Sequence, residues 1–351
     1  MRTFHPLTVS MVQPLCDDAA AVTFAVPEEL AQAYAFRPGQ SLTLRRMVGG
    51  REERRSYSIC SPAGSAPRIG VREVPDGLFS RWLVRDVRPG DEIEVLPPSG
   101  SFTPELGAAG QHVLIAAGSG ITPMLSMAAS LLSNVDTTVT LLYGNRRTDT
   151  VMFADELADL KDRYPTRLEL AHVLSREPRE AELFTGRLDA EKVRTLLPLL
   201  MDVDAVDHWW LCGPYGMVTD VQAVLGELGV PETRVHQELF FVEEAPPEPA
   251  HHDDPIIDGP VSEVTVLLDG RSTVVPVPRD ERILDGLQRV RPDLPFACKG
   301  GVCGTCRAKV LSGKVDMRRN FALEKSEVDA GFVVTCQSFP VSDSVTVDYD
   351  A

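Results

Sequence analysis

Apolar and polar positions along the chain follow different rhythms in different stretches. Residues 1–108 carry short runs that alternate in period two, as in Leu7-Thr8-Val9, Val22-Thr23-Phe24-Ala25-Val26 and Ser41-Leu42-Thr43-Leu44. Turn signals such as Arg37-Pro38-Gly39-Gln40 and Arg88-Pro89-Gly90-Asp91 separate them. Half-buried strands at this spacing predict a small antiparallel barrel. From His112 the runs become continuously apolar (Val113-Leu114-Ile115-Ala116-Ala117, Thr138-Val139-Thr140-Leu141-Leu142, Trp209-Trp210-Leu211) and alternate with helical stretches such as Phe153 to Arg163. Strands buried on both faces and alternating with helices predict an α/β domain on a parallel sheet over residues 109–243. Residues 244–260 break the pattern. Five prolines and six acids between Glu243 and Pro260, with no Lys or Arg, predict an extended linker, on the order of 50 Å long if it is mostly polyproline II. Residues 261–351 then open with two strand-like runs, Val264–Leu268 and Thr273–Val275, joined through Asp269-Gly270, a strong hairpin signal.

Composition fits this division. With roughly 150 residues per domain as a prior, 351 residues leave room for two or three folded units. No apolar run approaches the 18 or so residues of a membrane span. The amino terminus, Met1-Arg2-Thr3-Phe4-His5-Pro6, lacks the apolar core of an export signal, so a cytoplasmic protein without membrane contact is expected. A formal charge of -16 argues against nucleic acid, whose phosphates call for a basic stripe. The acidity is uneven, because residues 261–351 hold 13 acids against 12 basic residues.

Seven cysteines in a reducing compartment do not read as a disulfide framework. Cys298, Cys303 and Cys306 form C-x4-C-x2-C, and Cys336 follows 30 positions later. Three ligands in one loop and a fourth from a distant strand match the plant-type [2Fe–2S] spacing. Gly300, Gly301 and Gly304 supply the backbone freedom that a loop wrapped round a cluster needs. A structural zinc site is the alternative, although it more often uses paired C-x2-C knuckles. The segment resembles the ferredoxin-like β-grasp family across residues 261–351. Lys299, Arg307, Lys309, Lys314, Arg318 and Arg319 near these cysteines predict a basic rim that could steer an acidic partner.

Two further motifs point to nucleotides. Gly77-Leu78-Phe79-Ser80 reads as a turn into a helix, whose first N–H groups and Ser80 hydroxyl suit a pyrophosphate. Gly118-Ser119-Gly120-Ile121-Thr122-Pro123 closes an apolar strand and opens a helix near Pro123, a second diphosphate cradle. The order of Arg55-Ser56-Tyr57-Ser58-Ile59, Gly77-x-Phe79-Ser80 and Pro97-Pro98-Ser99-Gly100 resembles the FAD barrel of the ferredoxin–NADP reductase superfamily. That resemblance implies that Arg55 pairs with the FAD phosphates, Tyr57 stacks on the isoalloxazine and Ser58 bonds near its N5. Asp76 departs from the pattern, since relatives carry a second glycine there. The resemblance also makes Gly118, Gly120 and Thr122 the NAD(P)H loop, and places Cys212 and Gly213 beside the nicotinamide. Ser175 and Arg176 would hold the 2′-phosphate of NADPH, with NADH still possible. Glu238 and Phe240 would face the flavin, so Ser58, Cys212 and Glu238 are the catalytic candidates.

A nicotinamide gives up two electrons at once and a [2Fe–2S] cluster takes one, so a flavin between them is chemically required. The expected fold is therefore multidomain: an antiparallel FAD barrel, an α/β nucleotide domain and a β-grasp ferredoxin domain. The module order, with Thr3-Phe4-His5 and Tyr143-Gly144-Asn145-Arg146, resembles the reductase subunits of bacterial phenylacetyl-CoA epoxidases. That implies electron delivery to the di-iron oxygenase subunits of a multicomponent monooxygenase in phenylacetate catabolism. Reductases of other oxygenases and of hybrid-cluster proteins share these modules, and a non-catalytic redox-sensing flavoprotein is a reading of a different class. Glu169 to His172, a Glu-x-x-His spacing, falls in an expected strand and Glu248 to His251 in the expected linker, so a di-iron site would belong to a partner.

Overall fold

The structure is a computed structural model that describes residues 3–75, 77–240 and 260–351. Asp76 and the expected linker up to Gly259 lie outside the described residues. The fold has the three parts expected: an antiparallel barrel, a parallel sheet with helices and a β-grasp sheet.

Six strands make the barrel: β1 (His5–Cys16), β2 (Ala19–Ala25), β3 (Ser41–Val48), β4 (Arg51–Ser58), β5 (Arg68–Arg72) and β6 (Glu92–Val95). Their order is β4-β3-β6-β1-β2-β5, and an antiparallel bridge between Ile59 and Ile69 joins the two ends. The period-two pattern explains the closure, because Leu7, Val9, Leu42, Leu44, Ile93 and Val95 all turn inward and are buried. Pro14 is tolerated in β1 because only His5–Thr8 of that strand pair with β6. One helix, α1 (Leu78–Arg85), packs Phe79 and Leu83 into this core.

The parallel sheet holds β7 (Gly110–Ala117), β8 (Thr137–Asn145), β9 (Leu168–Leu174), β10 (His208–Gly213) and β11 (Val235–Leu239), in the order β11-β10-β7-β8-β9. After β7 the chain steps to one side through β8 and β9, then returns to the other side at β10. Open sheets of this kind bind ligands where the order reverses, here at the carboxyl ends of β7 and β10. The helices are α2 (Ile121–Leu131), α3 (Ala154–Arg163), α4 (Ala190–Leu200) and α5 (Tyr215–Glu227). Asp189 caps α4 by accepting from the Lys192 amide, while α2 buries nearly every residue.

Barrel and parallel sheet form one compact unit, which holds His5–Glu53 and Tyr57 through β11. Ala19, Ala21, Cys60 and Phe102 of the barrel share a core with α2 and the sheet. Polar ties complete the joint: Ser126 donates to the Ser61 carbonyl at 2.7 Å, and Arg68 pairs with Glu156.

A second unit holds the C-terminal strands: β12 (Val261–Leu268), β13 (Arg271–Pro278), β14 (Arg307–Ser312), β15 (Val315–Met317), β16 (Phe332–Val334), β17 (Ser338–Pro340) and β18 (Ser344–Asp348). The main sheet runs β13-β12-β18-β14-β16, with β15 and β17 paired apart from it. The Asp269-Gly270 turn has positive φ at both residues, as its sequence requires. Helix α6 (Ile283–Gln288) buries Ile283, Leu284 and Leu287 against the sheet, and α7 (Lys325–Asp329) lies near β16.

The joint within the first unit leaves no room at Gly70, where a Cβ would lie 2.5 Å from Thr122 Cγ2 and 2.8 Å from Phe153 Cζ. Both neighbours are buried. Gly70→Ala is expected to destabilise this unit by about 1–3 kcal/mol through overpacking. Urea unfolding followed by tryptophan fluorescence checks it, and an unchanged midpoint would contradict the tight joint.

Candidate functional site

The carboxyl ends of β7, β10 and β11 bring several candidates together. Gly118 takes a positive φ of 56° and starts a turn of 3-10 helix that enters α2 at Ile121, two residues before Pro123. A Cβ on Gly120 would stand 2.1 Å from the Cys212 carbonyl oxygen, so only glycine lets this loop approach β10. Gly213 is nearly as confined, with Met217 Cε 2.7 Å from its own Cβ position. Thr122 is buried and donates to the Ser119 carbonyl at 3.0 Å, which closes the loop internally.

Cys212 pairs in register with Ala116 on one side and Glu238 on the other, so both functional side chains share one face of the sheet. Ser58, at the end of β4, donates to Glu238 Oε2 at 2.9 Å. Ser58, Cys212 and Glu238 are thus one cluster, built from the barrel and two sheet strands. Glu238 retains some surface, yet protein surrounds its carboxyl, and that burial pushes it up to about 7 against the opposing Ser58 hydrogen bond. The Cys212 thiol is driven well above its usual range by burial first and the Glu238 charge second.

Other expected positions are placed less directly. Tyr57 packs near Phe79 with ring centroids 6.2 Å apart, and Phe79 is buried in the barrel core. Ile59 is fully buried, with its amide bonded to the Gln40 carbonyl. Gly77 caps α1 without a side-chain bond, and the Ser80 hydroxyl accepts from the Val74 amide and donates to the Gly77 carbonyl. The Arg55 guanidinium donates to the Arg54 carbonyl. Phe240 follows β11 with its ring 37% exposed. Ser175 and Arg176 leave β9 with amides bonded to Asn145 and Arg146 carbonyls.

Two residues here have no site role assigned from the sequence. Arg72 ends β5 in the barrel, held by Asp18 at 3.2 Å, and its guanidinium comes within 3.3 Å of where a Gly118 Cβ would be. A cation beside a glycine loop suits a diphosphate. Asn145 closes β8, and its buried amide forms no well-aligned hydrogen bond with a described residue, although Tyr143 is near. An unsatisfied buried amide at a sheet's carboxyl edge fits a ligand that supplies the missing partner.

In the second unit, the loop before β14 carries three of the four cysteines. Cys298 Sγ accepts from the Gly300 amide at 3.3 Å and the Cys303 amide at 3.4 Å. The bond from Cys303, then these amides, pull the Cys298 thiol down to about 6 despite burial. The thiols interact as two pairs, Cys298 with Cys303 and Cys306 with Cys336. Among the described residues no three His, Cys, Asp or Glu side chains gather to hold one metal ion. Two thiol pairs with amide donors at sulfur are instead the donor set for two irons bridged by sulfide, and they fit a [2Fe–2S] cluster better than zinc. Positive φ falls at Lys299, Gly301 and Gly304, while Gly300 needs none.

The expected basic rim needs correction. Lys299 bonds Asp285 at 2.9 Å, Arg307 bonds Glu327 at 3.0 Å and Arg318 bonds Asp316 at 3.2 Å. At least these three of its six cations are paired within the unit.

Comparison with known proteins supports three modules. The oxidoreductase FAD-binding domain matches residues 6–103, the oxidoreductase NAD-binding domain residues 114–223, and the 2Fe-2S iron-sulfur cluster binding domain residues 266–341. The chain is 43% identical to a component of the 1,2-phenylacetyl-CoA epoxidase of Escherichia coli (strain K12), covering 100% of this chain and 99% of that protein. It is 35% identical to the ferredoxin reductase component of 3-ketosteroid-9-alpha-monooxygenase of Rhodococcus rhodochrous, covering 98% and 96%. The solved phthalate dioxygenase reductase, a modular structure for electron transfer from pyridine nucleotides to [2Fe-2S], superposes with a TM-score of 0.60 at 25% identity, covering 98% of each chain.

The raised carboxyl of Glu238 has a consequence for stability. Its value near 7 lies above the ordinary 4.5, so the fold favours the protonated form. That contribution is full below about pH 4.5 and is lost as pH rises through 7. Glu238→Gln keeps an acceptor for Ser58 but cannot ionise. Urea midpoints of variant and wild type are expected to shift in favour of the glutamine as pH goes from 5 to 8, and a constant difference across that range would contradict the raised value.

Proposed function

Because the chain belongs to the ferredoxin–NADP reductase superfamily, among the oxygenase reductases that carry a C-terminal [2Fe–2S] ferredoxin domain, we propose that its acceptor is the di-iron oxygenase of a phenylacetyl-CoA epoxidase. The broader activity follows from the family: an NAD(P)H-dependent oxidoreductase that passes electrons through FAD and [2Fe–2S] to an oxygenase. The observation that carries the finer reading is 43% identity over the full length of both chains with the epoxidase component. Glu169 lies on a strand with its carboxylate on Lys161, and His172 faces Tyr143. Oxygen chemistry at a carboxylate-bridged metal pair would therefore belong to the partner. A reductase of another oxygenase is the second reading, favoured by the 35% identity to the ketosteroid monooxygenase component. The Gly118–Gly120 loop and its tight fit on Cys212 speak against a sensor that no longer oxidises nucleotide.

In this reading each residue has a defined task. FAD, when bound, turns the paired electrons of a hydride into single electrons that the cluster can carry. Gly118 and Gly120 let the nucleotide diphosphate reach the backbone at the α2 amino end, with Arg72 beside it. Cys212 and Gly213 give the nicotinamide a close, uncharged floor. Ser58 and Glu238 hold a proton at Oε2 near the reacting edge of the flavin, a carboxyl near 7 being able to accept or return it. Tyr57 and Phe240 would pack against the flavin, Arg55 and the Gly77–Ser80 turn would hold its phosphates, and the four cysteines would hold the cluster. Residues 1–108, 109–243 and 261–351 would be the three modules. We also place the protein in the cytoplasm: all seven cysteines are free, and among the described residues no helix is long and apolar enough to cross a membrane.

Reconstitution with the oxygenase components of the epoxidase, NADPH and phenylacetyl-CoA tests the acceptor. NADPH oxidation is expected to couple to epoxide formation, and Cys336→Ser to retain ferricyanide reduction while losing that coupling. Coupling to a ketosteroid oxygenase with none to the epoxidase would favour the second reading.

Nucleotide choice rests on Arg176, which is exposed and has no bond from its guanidinium to a described residue. A charge-assisted phosphate bond contributes about 1.5–3 kcal/mol, so Arg176→Ala is expected to raise the Michaelis constant for NADPH about tenfold or more over that for NADH. Steady-state kinetics with both nucleotides check it, and an unchanged preference would remove Arg176 from the site.

A further inference from the structure

Lys299 follows the first cluster cysteine and holds a left-handed backbone, φ +52°, that lysine rarely adopts. Its ammonium does not reach toward solvent for a partner. It donates to Asp285 Oδ1 at 2.9 Å and to Gln288 Oε1 at 2.8 Å, both on α6, and lies 4.9 Å from the Phe296 ring centroid. Asp285 is only 4% exposed, and its second oxygen is 3.8 Å from Arg282, so Lys299 is its nearest cation. The Lys299 carbonyl accepts from Gln337 Nε2 at 2.8 Å. Gln337 is buried and directly follows Cys336. One residue is thus anchored through its side chain to a helix and through its backbone to the neighbour of the distant fourth cysteine.

We propose that the chain Asp285–Lys299–Gln337 positions the cluster loop, fixing the Cys298 side of the site to the Cys336 side before and after the cluster is in place. This rests on the four cysteines being the cluster ligands, which iron analysis of wild type and Cys336→Ser tests separately. The geometry suits the role. Cys298 and Cys336 belong to different thiol pairs, so a bond between their following residues sets how far apart the two irons' ligands stand. Gly301 presses on the same glutamine, with its Cβ position 3.0 Å from Gln337 Cγ. Without the anchors, a left-handed lysine would relax toward ordinary backbone and turn the Cys298 sulfur away.

A residue held for its backbone conformation can be replaced by glycine, which adopts that conformation freely. The test uses the full-length holoprotein and compares Asp285→Asn/Lys299→Ala with Asp285→Asn/Lys299→Gly. Both lack the ammonium and the buried carboxylate charge, and they differ only in the backbone. The rate of iron transfer to a ferrous chelator and loss of the cluster's visible circular dichroism are the readouts. The alanine form is expected to lose its cluster roughly tenfold faster than wild type, given the left-handed penalty of a non-glycine residue. The glycine form is expected to stay near wild type. Gln337→Leu, with the lysine intact, is expected to lose it faster as well. Equal loss from the alanine and glycine forms, or wild-type retention in Gln337→Leu, would overturn the proposal.

Discussion

How closely the barrel can approach the parallel sheet governs the rest of the first unit, and glycines set that distance. A Cβ at Gly39 would fall 2.5 Å from Met127 Cε of α2, and one at Gly70 would fall 2.5 Å from Thr122 Cγ2 and 2.8 Å from Phe153 Cζ. Each marks a contact between backbone and a neighbouring element that no side chain can occupy. The approach lets Ser58, on a barrel strand, reach Glu238, on a sheet strand, within 2.9 Å. Were the two layers an ångström further apart, a serine hydroxyl could not bond that carboxyl. The shared core of Phe102, Met127 and Trp210 holds the layers at that spacing through apolar burial.

The second unit solves a different problem. The loop that carries three cysteines has little regular structure of its own, so hydrogen bonds do the ordering. Thr335 illustrates this: its amide and hydroxyl both reach the Cys306 carbonyl, and the hydroxyl also meets Tyr349 at 2.7 Å. The members of the second thiol pair are therefore joined through the backbone beside them. Amides aimed at Cys298 sulfur complete the first pair, and N–H donors at thiolate favour the charged form that iron requires.

What the sequence reveals of this protein is what depends on local spacing. Alternation predicts the barrel strands, the Asp269-Gly270 hairpin appears where expected, and the cysteine interval predicts three ligands in one loop and a fourth from a distant segment. Contacts between distant segments are not encoded in spacing. Arg72 is one arginine on a strand until β5 is laid against the Gly118 loop. Gly70 reads as a weak strand residue until Thr122 is seen against it. The basic rim misleads for the same reason, since sequence counts charges but not the Asp285, Glu327 and Asp316 that meet them. Helix α2 begins at Ile121 because the glycine turn winds directly into it, a continuity that the proline signal at 123 conceals. A stack of buried His112 and Trp210 with half-buried His236 likewise has no local signature, and burial pushes the His112 imidazole down to about 4.

Charge at the reaction site follows from these contacts. Cys212 is a neutral thiol at any physiological pH, since burial and the nearby acid both oppose its ionisation. Glu238, near 7, is protonated for part of the time under the same conditions. In the proposed site the sheet face under the nicotinamide would thus carry no more than the partial charge of Glu238, while Arg72 on the barrel and Arg176 after β9 would meet the phosphates. A charged face beneath the ring would favour one oxidation state of the nicotinamide, because the oxidised ring is cationic and the reduced ring is not. A face of low charge would leave binding to the phosphates, which do not change during the reaction, and would let both forms exchange. For a reductase that must release oxidised nucleotide each time it loads two electrons, separating the charges that bind from the surface that reacts is the arrangement that keeps turnover possible.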